Sequence, residues 1–137
     1  MTRIKDAIKP VDAQRIQQKV YYLQGIGTSN SLIDKWVGGA TGGGVVDDVC
    51  EAYCNLADNY TKGDEIFLFG FSRGAFIVRS LAGLISQQGL RRRNRETFKD
   101  EFLQLQKQVD PQLAEDGKVS SDNDVQIKAI GVWDTVG

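Results

Sequence analysis

The stretch IFLFGFSRGAFIVRSLAGLISQQG, residues 66 to 89, decides how this chain folds. Ile66 to Phe71 form an unbroken apolar run, the mark of a strand buried on both faces, as in parallel sheets. Ser72 follows at once. Gly74 to Gln88 then reads as a helix, and Gly89 ends it, because glycine accepts the backbone turn that stops a helix. A buried strand feeding a helix through a tight turn is part of a crossover unit, so the local pattern already points to a layered α/β sheet.

The flanking segments extend that reading. Upstream, Thr61-Lys62-Gly63-Asp64 is a turn. Asp47 to Tyr60 carries Val49, Cys50, Tyr53, Cys54, Leu56, Ala57 and Tyr60 as an apolar helical stripe, with acidic residues near its start as a helix N-terminus prefers. Gly25 to Gly44 is a glycine-rich connection. Lys19 to Leu23 (KVYYL) is β-branched and aromatic and predicts a short strand, and the helical spacing of Ile4, Ala7, Ile8 and Val11 predicts a short helix interrupted by Pro10. Downstream, Phe98, Phe102, Leu105 and Val109 share one face of a helix over residues 95–109, closed by Asp110-Pro111. Residues 111–124 form a polar loop, and Val125 to Trp133 predicts a second buried strand. Strands alternating with helices imply parallel pairing with right-handed crossovers. The expected fold is α/β: a three-layer α/β/α sandwich with a mostly parallel sheet and helices on both faces, residues 1–137 forming one domain with no internal repeat.

Composition agrees and excludes several function classes. The chain has 137 residues, 41% hydrophobic and 26% charged, the balance of a globular domain. Seventeen Lys and Arg against eighteen Asp and Glu leave a net charge of −1, which argues against nucleic acid as a partner. No apolar stretch is long enough for a transmembrane helix, and Met1-Thr-Arg-Ile-Lys-Asp is no signal peptide. The chain reads as intracellular or as cut from a larger context. Cys50 and Cys54 lie four apart on one helical face and read as small buried apolar residues rather than a redox pair or metal site. There is no histidine at all.

Gly70-Phe71-Ser72-Arg73-Gly74 fits G-x-S-x-G, the nucleophile elbow, and stands where that motif requires, after a strand and before a helix. The turn is strained, so side chains at the flanking glycine positions are expected to clash with the neighbouring helix and strand. It lifts the Ser72 hydroxyl above the sheet at a helix N-terminus, and aims the backbone N–H of Arg73 at an oxyanion on a substrate carbonyl. Other glycine motifs fail. No Gly-Lys-Ser or Gly-Lys-Thr of a phosphate loop exists, and Gly25-Ile26-Gly27 lacks the third glycine of a dinucleotide fingerprint. No cofactor is expected. An activated serine also needs a base and an acid that orients it. Asp134, after the strand ending at Trp133, is the best candidate for the acid, against a capping or turn role there. Asp64 and Glu65 lie at the wrong end of the nucleophile strand and read as solvated. The base is missing, since no histidine follows Asp134.

Residues 59 to 90 resemble one family closely: the α/β-hydrolase domain of type VI secretion phospholipase effectors and their uncharacterised relatives, fungal ones included. The family pattern GD-x-I-x-x-x-GFSRGA followed by an Arg and LAG is matched by Gly63, Asp64, Ile66, Gly70 to Ala75, Arg79 and Leu81 to Gly83. KVYYLQGIGT (19–28), EAYCNLADNY (51–60) and GVWDTVG (131–137) agree in order. The resemblance implies a partial α/β-hydrolase fold, Ser72 as nucleophile, and cleavage of carboxylic esters of the phospholipase type. It also implies an upstream strand carrying the second oxyanion donor and a downstream histidine, so the chain is expected to be a fragment, inactive alone. The alternative is a non-catalytic lipid- or protein-binding module of the same descent.

Three features remain. Arg91, Arg92, Arg93 and Arg95 form a basic cluster, read as a solvated helix end complementing its dipole rather than a headgroup contact with a peripheral membrane. The helix over 95–109 is either a lid or a plain crossover helix. Asp116, Asp122 and Asp124 lack the glycine and closing glutamate of a calcium loop and read as a solvated turn.

Overall fold

The computed structural model describes residues 2–23, 43–108 and 125–133. In chain order these form helix α1 (Thr2–Ala7), helix α2 (Gly43–Asn59), strand β1 (Ile66–Phe71), helix α3 (Arg73–Gln88), helix α4 (Arg95–Gln108) and strand β2 (Ile127–Trp133). The strands pair in parallel, in register from Phe67 opposite Ala129 to Phe71 opposite Trp133. One irregularity lies between Ile66 and Phe67. A parallel pair cannot close through a hairpin, and α3 and α4 occupy the connection. The described molecule is therefore mixed α/β with a two-stranded parallel sheet.

The core forms where three helices meet one face of β1. Val49, Cys50, Tyr53 and Ala57 of α2, Ile77, Leu81, Leu84 and Ile85 of α3, and Phe98 and Phe102 of α4 close around Ile66 and Leu68. Tyr53 and Phe98 are fully buried and their rings stack at 4.4 Å, worth about 0.5–1.5 kcal/mol beyond simple burial. Cys50 and Cys54 are free and buried in this core, as the spacing predicts. Burial pushes the Cys50 thiol up to about 11, with Cys54 and Asp47 adding to the rise. Gly89 ends α3 in the left-handed region, its N–H donating to the Ile85 carbonyl at 2.8 Å.

Four expectations are corrected. β1 is buried on one face only: Ile66 and Leu68 face the core, whereas Phe67, Phe69 and Phe71 are exposed. β2 is largely exposed rather than buried. An unbroken apolar run marks two-sided contact only where both faces are covered, and the helices described cover one. Residues 19–23 form no strand. They pass by α2, with Lys19 Nζ donating to the Asn59 carbonyl and Tyr21 Oη donating to Glu51 Oε1 at 2.6 Å. β-propensity makes no strand without a neighbour to complete the ladder. Finally, α2 begins at Gly43 rather than Asp47, so Asp47 and Asp48 fall beyond its first turn.

Candidate active site

Ser72 occupies the single residue between β1 and α3. Its backbone stands at φ 51°, ψ −119°, a conformation that costs a non-glycine residue about 1–3 kcal/mol and persists only where the surroundings enforce it. Two hydrogen bonds do so from opposite sides. The Ser72 N–H donates to the Trp133 carbonyl of β2 at 3.0 Å, and the Ser72 carbonyl accepts from the Ala75 N–H of α3 at 2.9 Å. Ser72 sits at the N-cap position of α3, yet its side chain makes no capping bond. Its hydroxyl is thus not consumed by the helix end, and the sixteen-residue helix turns its positive end toward it.

The two glycines of the motif differ. A Cβ on Gly70 would lie 2.2 Å from the Gly74 carbonyl oxygen and 2.7 Å from Ala75 Cα. Both are backbone atoms, so strand and helix can approach this closely only with glycine there. A Cβ on Gly74 would meet nothing within 4 Å. The expected clash holds at Gly70 and fails at Gly74.

The Arg73 side chain turns to α2, where Nη2 lies 3.0 Å from Asp48 Oδ2. Burial raises the Asp48 pKa above its ordinary value; Arg73 opposes the rise, while Glu51 and Asp47 add to it. Nearby, Tyr21 and Arg95 both engage Glu51, and burial together with the Glu51 hydrogen bond pushes the Tyr21 phenol up to about 12. Reading the residues in sequence missed Asp48, which is separated from the motif by a turn and a strand. The one signal in the sequence was its place next to Val49, where the apolar helical stripe begins.

Of the other residues singled out, Asp134 lies outside the described residues, as do 111–124 with Asp116 and Asp122. Trp133, which precedes Asp134, pairs in register with Phe71, the residue before Ser72. Asp64 and Glu65 are exposed: Asp64 Oδ2 accepts from the Thr61 N–H, and Glu65 pairs with Lys128. Within the arginine cluster, Arg93 pairs with Glu101 of α4, Arg95 with Glu51 of α2, and Arg92 lies 4.0 Å from Asp58 of α2. Among the described residues no group of three acidic, cysteine or histidine side chains could hold a metal. No described helix is long and apolar enough to cross a membrane.

Comparison with known proteins adds three findings. The family model described as "T6SS, Phospholipase effector Tle1-like, catalytic domain" matches residues 1–137. An uncharacterised protein of Saccharomyces cerevisiae is 37% identical over 101 residues, covering 64% of this chain and 15% of the yeast protein. The matched part of the chain thus spans about one-seventh of the length of that relative. No solved structure matches.

Proposed function

Because the chain belongs to the family of type VI secretion, Tle1-like phospholipase effector catalytic domains, we propose that it carries the nucleophile-bearing part of a serine ester hydrolase acting on phospholipids or related carboxylic esters. In this reading Ser72 Oγ attacks the ester carbonyl, and its proton passes to a base. The backbone N–H of Arg73 holds the oxyanion that forms. The leaving alcohol departs with that proton, and water then cleaves the acyl-serine to release the carboxylic acid and restore the hydroxyl. Asp134 would orient the base. No histidine occurs among these 137 residues, so in this reading the imidazole comes from polypeptide outside them.

The observation that carries the reading is the left-handed Ser72 between strand and helix, within G-x-S-x-G and with its hydroxyl free of the helix cap. The exposed Phe71 and Trp133 beside it suit an apolar substrate. We further read residues 1–137 as one partial domain of a three-layer α/β/α sandwich. Residues 66–88 form its elbow, and Arg95–Gln108 a crossover helix anchored by Phe98 and Phe102. A fluorophosphonate probe, which phosphonylates activated serines, tests the assignment. The natural polypeptide that contains this chain is expected to be labelled at Ser72, and its Ser72→Ala variant is not. A folded protein left unlabelled would instead favour a non-catalytic binding module.

A further inference from the structure

Catalysis by Ser72 uses the Arg73 backbone and leaves its guanidinium without a task, although that group is paired with Asp48. Arg73 and Asp48 are 29% and 27% exposed, and theirs is the one ion pair among the described residues with both side chains less than a third exposed. Partial burial limits screening by solvent and salt, so this pair constrains geometry more than an exposed pair does. The turn it adjoins needs constraint. Ser72 is held from β2 by its N–H and from α3 by its carbonyl, and the Arg73–Asp48 pair ties the next residue to α2.

We propose that Asp48 is a positioning residue: by anchoring the Arg73 side chain on α2 it fixes the Ser72–Arg73 peptide and aims the Arg73 N–H at the developing oxyanion. The inference rests on the reading of Ser72 as nucleophile. It requires the ionised carboxylate. The charged groups acting on Asp48 are Arg73 from α3 and Asp47 and Glu51 from its own helix, and the neutral phenol of Tyr21 faces it from the segment before α2. Asp47 is itself paired with Lys99, and Glu51 with Tyr21 and Arg95. Because the folded-state pKa of Asp48 is raised, acidification releases the anchor at a higher pH than an ordinary aspartate would.

The test compares wild type, Asp48→Asn and Asp48→Glu in the natural polypeptide, reading the rate of fluorophosphonate labelling across pH together with the unfolding midpoint. A misaimed oxyanion donor is expected to slow labelling of the Asn variant by about tenfold at neutral pH, part of the loss that follows complete removal of a donor. The midpoint stays unchanged, the Glu variant recovers most of the rate, and one ionisation disappears from the acid limb in the Asn variant. Labelling of Asp48→Asn at the wild-type rate, or a loss that tracks unfolding and is not recovered by Glu, overturns the inference. A wild type that is not labelled overturns the nucleophile assignment instead. In that event the Arg73 backbone amide resonance decides the positioning claim: it should shift as Asp48 titrates and not in Asp48→Asn, and an amide indifferent to Asp48 overturns it.

Discussion

A methyl group at position 70 would have to sit 2.2 Å from the carbonyl oxygen of Gly74, whereas a methyl at position 74 would meet no neighbour. The atoms facing Gly70 belong to the backbone of α3, so relief requires the helix to move away from the strand. Gly70→Ala should therefore cost about 1–3 kcal/mol or more, the range for overpacking a closed site. Gly74→Ala should be neutral or slightly stabilising, since Gly74 lies inside α3 and alanine is the better helix former. Urea unfolding of the two variants checks the contrast. The pattern G-x-S-x-G identified the turn and its serine from the sequence. It could not rank the two glycines, because that ranking depends on how near α3 comes to β1.

At the scale of elements, the Tyr53 hydroxyl joins three helices. From α2 it donates to the Gly89 carbonyl at the end of α3 at 2.8 Å, and it accepts from the Arg91 N–H at 3.2 Å, ahead of α4. Its ring meanwhile stacks on Phe98 of α4. Tyr53→Phe keeps the ring and strips a buried carbonyl and a half-buried N–H of their partner, at a cost of about 1–3 kcal/mol. Thermal unfolding should show that loss, and hydrogen exchange at Arg91 should quicken. The helical spacing of Val49, Cys50, Tyr53 and Cys54 made Tyr53 legible as a core residue. Its bonds to Gly89 and Arg91 were not legible, because side-chain periodicity reports which face is apolar and not what lies against it. The segment 19–23 failed for a related reason: its β-propensity was real, but strand formation depends on a neighbour.

For the whole molecule the open face of the sheet dominates. Phe67, Phe69 and Phe71 alternate outward along β1, the exposed Trp133 lies opposite Phe71 on the same face of β2, and the Phe69 and Trp133 rings lie 6.2 Å apart. A contiguous apolar surface of this kind is rare on soluble monomers. Expressed alone, the chain should self-associate, and Phe67→Lys with Phe69→Lys should shift it toward monomer in sedimentation velocity. A monodisperse wild-type monomer at high concentration would contradict this. By itself, the sequence determined the helices other than their exact starts, the strand–turn–helix at Ser72, the burial of the two cysteines and the family. All of these follow from local pattern, through periodicity, turn chemistry and a short motif. Tertiary structure alone decided that β1 has one covered face, that Gly70 rather than Gly74 is sterically required, and that Arg73 reaches Asp48. Those features depend on distances between segments far apart in the chain, which are set by how helices and strands pack together.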